Sequence, residues 1–143
     1  ERCREIDDRY AEADALNLLG LAMLRQDRAA HAAELLHQSL ALCREMGHRR
    51  GEIDALLGFG ETLLARGQAE QALAHHAAAL DLADQTGARY QQACSHHGLA
   101  HDFTALGEHL EAQNHLSEAL KIYTELAVPE ADLIRAETSR RSV

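Results

Sequence analysis

Cys94, His97 and His101 lie three and four residues apart, so on a helix their side chains leave from one face. A thiolate and two imidazoles in that arrangement are zinc-ligand types. The helix limits the set, because residues seven apart are separated by about 10.5 Å along its axis, too far for Cys94 and His101 to share one ion easily. The Cys94–His97 or His97–His101 pair is what remains, with Glu61 as a third ligand. These residue types fit the polar lining of a binding surface better, and on that reading no metal and no cofactor is assigned. No Ser-His-Asp order, HExxH helix or phosphate-binding loop occurs, so no catalytic residue is assigned and the chain does not read as an enzyme. Gly58-Phe59-Gly60 looks briefly like part of a dinucleotide loop, but no strand precedes it, and its glycines read as packing contacts inside a helix.

What must position these residues is a repeat. Gly20, Gly60 and Ala100 are spaced by 40 residues, as are Ala32, Ala72 and Ala112, and Ser39, Ala79 and Ala119. Small residues recur where two helices nearly touch. Aromatics are 3% of the chain and Trp is absent, so a core must be built from Leu, Ala and close backbone approach. Apolar residues within each period fall at helical spacing, as in Ala13, Leu16, Leu19 and Met23. Breaks are expected at Asp27, Gly67 and Gly107 inside the periods, and at Gly47-His48, Gly87-Ala88 and Ala127-Val128 between them. The pattern predicts first helices at 9–26, 49–66 and 89–106 and second helices at 28–46, 68–86 and 108–126. After Pro129, a last helix over Glu130 to about Arg140 would cap the array.

Against this frame two histidines stand out. His76 occupies the place of Leu36 and Leu116, and His96 that of Leu16 and Leu56. Antiparallel packing of their helices would bring the two rings into one region as hydrogen-bonded, half-buried partners. Because histidine titrates near pH 6.5, the same seam could respond to protons.

The small-residue ladder resembles the tetratricopeptide pattern: one small residue in the first helix, then two in the second, twelve and nineteen positions later. The usual unit of about 34 residues is shorter and ends near a proline missing here, and the extra residues would lengthen the two helices by about a turn and a half. A HEAT-type array with a period of about 40–47 is the structural rival, and the ladder decides against it. The resemblance implies an all-α, right-handed superhelical solenoid of antiparallel helix pairs. It divides the chain into a single array: residues 1–8 as the end of a preceding second helix, repeats at 9–48, 49–88 and 89–128, and a cap at 129–143. The chain would then be a piece of a longer protein that begins in mid-repeat.

In such arrays the first helices line the concave side. Carried across position by position, the resemblance places Asp14, Asn17 and Leu21, then Asp54, Leu57 and Glu61, then Cys94, His97 and His101 in a ligand-binding groove. The chaperone-binding branch of the family uses Lys, Arg and Asn there to clamp carboxylates, and Asn17 alone fits that pattern. The acidic positions favour a partner with basic or polar donor groups.

His96-His97-Gly98-Leu99-Ala100, Tyr123-Thr124-Glu125-Leu126 and the stretch from Pro129 to Ala136 resemble the C-terminal end of actinobacterial transcription regulators of the Streptomyces antibiotic regulatory protein type. In those, DNA-binding and often ATPase domains precede the array. The resemblance implies a module that binds a peptide, protein segment or small-molecule effector and relays it to neighbouring domains. A passive scaffold is the alternative, self-associating through the first helix, where Ile6 lacks a covering partner.

A net charge of −9 argues against direct nucleic-acid contact, since the sole basic cluster is Arg140-Arg141. No apolar run reaches the roughly 18–20 residues that span a bilayer, and no signal peptide is evident. The composition reads as a soluble cytoplasmic protein. Cys3 and Cys43 are repeat equivalents, and three cysteines do not read as a disulfide framework.

Overall fold

The computed structural model describes residues 1–141, all seven of whose regular elements are α-helices: α1 (Arg2–Arg25), α2 (Ala29–Met46), α3 (Arg49–Ala65), α4 (Ala69–Thr86), α5 (Arg89–Ala105), α6 (His109–Leu126) and α7 (Glu130–Arg141). Ser142 and Val143, the end of the expected cap, lie outside the described residues. Helices pack as consecutive antiparallel pairs, α1 on α2, α3 on α4 and α5 on α6. Pairs stack through α2 on α3 and α4 on α5, and α7 closes against α6. First helices also meet one another, α1 with α3 and α3 with α5, whereas the backbones of α5 and α7 stay apart. No described helix is long and apolar enough to cross a membrane.

The turns follow from backbone chemistry at the expected places. Gly47 and Gly87 end α2 and α4 in the left-handed region at φ 67°, and Ala127 does the same for α6 at φ 54° despite its Cβ. Asp27 adopts φ 62° at the turn where later repeats carry Gly67 and Gly107.

One expectation fails at the N-terminus. Residues 1–8 are not the end of a separate second helix but the first two turns of α1, which runs unbroken from Arg2 to Arg25. The residues standing where Gly47 and His48 break the chain are Asp7 and Asp8, and neither leaves the helix. The first nine residues are exposed, so helical propensity rather than packing sets their conformation.

The core is a stack of thin seams. Ala32, Ala72, Ala112, Ser39, Ala79 and Ala119 are all buried, and Ser39 donates its hydroxyl hydrogen to the Ala13 carbonyl 2.8 Å away, tying α2 to α1. Leu36 wedges between two glycine backbones: a Cβ on Gly20 or on Gly58 would stand 2.8 Å from its carbons. One period later His76 fills the same slot between Gly60 and Gly98, where a Cβ on Gly98 would lie 2.6 Å from the ring. The glycines of Gly58-Phe59-Gly60 are therefore packing contacts. Beyond the second slot, Leu116, Ile122 and Tyr123 join Ala93 and Ala100 with Ala131 and Ile134 of α7, which fixes the last helix to the array.

The two unusual histidines do not pair with each other. His76 is fully buried and its Nδ1 lies 2.5 Å from Asp102 Oδ2, while His96 bonds His115 Nδ1 to Nδ1 at 2.9 Å. Each ring is drawn to a different polar group: His76 on α4 to Asp102 of the next layer, on α5 beside the glycine slot, and His96 on α5 to His115 of its own layer, on α6.

Candidate functional site

The concave surface is built by the first helices, whose spacing lets side chains from three layers face one space. A groove of about 530 Å³ runs along α1, α3 and α5. Asn17 and Leu21 reach it from α1, Asp54, Leu57 and Glu61 from α3, and Cys94, His97 and His101 from α5. Asp14 does not line it. Its carboxylate sits 3.1 Å from His48 Nε2 at the α2–α3 connection, and the His48 ring is in turn stacked on Tyr10 at 4.5 Å, so that contact draws Asp14 away from the space.

Asn17 is buried and its Oδ1 has no hydrogen-bond partner. Gly58 lies beside that oxygen, and the missing Cβ keeps the approach open. In the next layer the Asp54 carboxyl is pushed up by loss of water, an effect that Arg50 and a hydrogen bond from Gln91 oppose. Glu61 shifts the same way and chiefly for the same reason, with His76, Arg25 and His101 pulling against it. A cation or N–H donor placed beside either carboxyl would offset that loss of water. Leu18, Leu21, Leu57 and Leu64 give the same walls an apolar character.

The far end is different. Burial pushes the Cys94 thiol up, an effect that the hydrogen bond it accepts at 3.4 Å from the Tyr123 hydroxyl opposes without reversing. His97 is lowered by burial and then by His101, whose ring centroid is 4.6 Å away. The third group beside them is Glu137 of α7, not Glu61: Glu137 Oε2 lies 3.9 Å from Nε2 of both His97 and His101. Among the described residues these three form the one cluster of potential metal ligands, with donor atoms within 4.8 Å of one another.

Sequence reasoning passed over Glu137, although the signal was present. Asn17, Leu57, His97 and Glu137 are spaced by 40, so the register that selected the first three selects the fourth once it is carried into α7. Tyr90, one turn before Cys94, was within reach of the same logic; its hydroxyl donates to Glu130 Oε1 at 2.6 Å. Tyr123 comes from a second helix, and first-helix register could not have found it.

The His76–Asp102 pair resembles the orienting half of a hydrolytic triad, but the ring is enclosed by the Gly60 and Gly98 backbones, where a nucleophile would have to sit.

The sequence pattern of the tetratricopeptide repeat family matches residues 52–125. No curated protein matches the chain. Among solved structures, the tetratricopeptide-repeat domain of Arabidopsis FLU is similar with a TM-score of 0.73 at 18% identity, over 79% of this chain and 95% of that one. The apo form of RapI is similar with a TM-score of 0.75 at 16% identity, over 93% of this chain but 39% of that one. At these identities the likeness is one of fold.

Proposed function

The chain belongs to the tetratricopeptide repeat family, a family of protein-interaction modules, and from that premise we propose that its groove binds an extended peptide or protein segment bearing basic or polar donor groups. One observation supports this above others: a buried acceptor without a donor, Asn17 Oδ1, opens onto the same space as the carboxyls of Asp54 and Glu61. A ligand N–H offered to Asn17 would satisfy an atom that is costly to leave unpaired. A lysine or arginine would meet the two acids, while leucines on the walls cover the ligand's apolar stems. In the wider reading the module is the sensing end of a bacterial transcriptional regulator, passing occupancy to DNA-binding or ATPase domains. A small-molecule effector with the same donors would serve equally. The ligand transmits a signal only if it binds one curvature of the array better than another.

The test is fluorescence anisotropy with a set of labelled extended peptides, lysine- and arginine-containing against acidic, and with Asn17→Ala, Glu61→Ala and His97→Ala variants. Basic peptides are expected to bind and the Asn17 variant to weaken them roughly five- to thirtyfold, the cost of about 1–2 kcal/mol for one hydrogen bond in a dry site. Affinity that survives all three substitutions places the ligand elsewhere.

A passive scaffold is the second reading, favoured by α1. Ile6 is 51% exposed there, an apolar side chain open to a second copy. Light scattering that returns a monomer at high concentration removes it.

A further inference from the structure

We propose that His97, His101 and Glu137 form a binding site for one divalent transition-metal ion of the zinc type, clasping the capping helix α7 to the groove helix α5. Two of the three facing donor atoms, His97 Nε2 and Glu137 Oε2, are buried and have no hydrogen-bond partner. They stand 3.9 Å apart, beyond hydrogen-bonding distance, and His101 Nε2 is equally far from the same oxygen. Two opposed, unsatisfied buried atoms describe a gap that something else fills.

The gap suits an ion. A tetrahedral zinc holds nitrogen and oxygen ligands about 2.0–2.1 Å away, which sets the ligands roughly 3.4 Å from one another. The carboxylate–imidazole edges need to close by about half an ångström, within the reach of side-chain torsions alone. His97 and His101 are one helical turn apart, their rings tilted by 50° with centroids 4.6 Å apart, an i, i+4 pair whose Nε2 atoms both face the one carboxylate oxygen of Glu137. Burial also favours the neutral ring of His97, the form that ligates. Imidazole and carboxylate donors match zinc, cobalt, nickel and copper rather than calcium or magnesium. Cys94 stays outside the set, kept a thiol by burial, which outweighs the opposing hydrogen bond from Tyr123.

The placement gives the ion a task. The backbones of α5 and α7 do not approach as those of α3 and α5 do, so side chains alone cross the space at this point. Three protein ligands leave a fourth coordination position, and because both histidines line the groove, that position is within reach of a carboxylate, imidazole or thiolate of a bound segment. The site does not depend on the peptide reading, since it would fill without any partner.

Isothermal titration of the chelator-treated protein with Zn²⁺, and of the same protein with Co²⁺ followed by visible absorption, tests the proposal. One ion per chain is expected, with the intense d–d bands of tetrahedral cobalt and a melting temperature raised by roughly 5 °C at a hundredfold excess over Kd. Glu137→Gln and His101→Ala, both on side chains partly exposed at the rim of the array, should weaken binding tenfold or more without changing the melt in chelator, whereas His31→Ala and His109→Ala should leave binding intact. Absence of binding at about 100 μM, or binding that persists in the Glu137 and His101 variants, overturns the site.

Discussion

Nδ1 of His76 lies 2.5 Å from Oδ2 of Asp102, in a seam where the preceding repeat has Leu36 and Thr62 at the same two positions. Both partners are buried, and the second carboxylate oxygen of Asp102 is without a partner. The pair replaces an apolar contact and a hydroxyl that bonds its own helix, Thr62 to the Gly58 carbonyl at 2.9 Å.

Removing one member strands the other. Asp102→Ala is expected to destabilise the protein by about 3 kcal/mol, the typical cost of breaking a buried polar pair. The double change His76→Leu with Asp102→Thr restores the first seam's chemistry and should be neutral or stabilising. Urea unfolding of the three proteins checks both; a double variant as weak as the single one refutes the equivalence of the seams.

The two glycine slots predict unequal responses to one methyl group. At Gly58 the added Cβ meets the tip of Leu36, which can turn aside, and alanine's better helix propensity of about 1 kcal/mol offsets the crowding. At Gly98 it meets the His76 ring, which Asp102 holds in place. Gly58→Ala should therefore be close to neutral and Gly98→Ala lower stability by about 2 kcal/mol. Equal denaturation midpoints for the two variants would contradict the slot geometry.

Ala127 ends α6 in the left-handed region that Gly47 and Gly87 occupy without penalty. Ala127→Gly should stabilise the chain by roughly 1 kcal/mol and raise the melting temperature by a few degrees. A lowered melting temperature would show that the turn gains something from the methyl group.

Protons act against the fold at its histidines. Burial lowers His96, His97 and His115, with His115 adding to the shift of His96. Glu118 and Asp84 oppose the shift at His96, and Glu111 and Glu118 oppose it at His115. Below about pH 6.5 the unfolded chain binds more protons at these sites than the folded one, so their contribution is complete above that value and is lost as pH falls. Asp54 and Glu61, raised by burial, have the reverse sign and gain as pH falls further. The melting temperature should accordingly drop between pH 7.5 and 6.0, and His96→Leu, which restores the residue of the earlier repeats, should flatten that drop. A wild-type melt unchanged over this range contradicts the argument.

The groove's own acids give a separate pH signal. Because Asp54 and Glu61 are raised, they begin to lose charge at a higher pH than ordinary carboxyls. Affinity for a lysine-containing peptide should weaken as pH falls while ordinary carboxyls are still ionised. Affinity that holds constant to pH 5 would remove these acids from the binding surface.

Much of this architecture was legible because it rests on backbone rules. Turns at Gly47, Gly67 and Gly87 need a left-handed residue, and a period of 40 places helix ends to within a residue or so at every later element. The same register brought eight of nine expected residues to the groove, Asp14 excepted. What escaped it depends on how particular side chains turn. His76 and His96 sit on adjoining helices of successive repeats but point to different partners, and no spacing records that His48 draws Asp14 aside. The run through Asp7 and Asp8 was missed for another reason: without a glycine or a neighbour to pack on, the local preference for helix decides alone.

The seams also order the molecule. A leucine between two bare glycine backbones would accept any similar layer, so an array built only of such joints could be assembled in several sequences or interleaved with a second chain. The joint at His76 differs, because the layer beneath it must present Asp102 and the wrong layer leaves a buried ring without its acceptor. One polar contact thereby distinguishes the third helix pair from the others and makes the succession of layers unique.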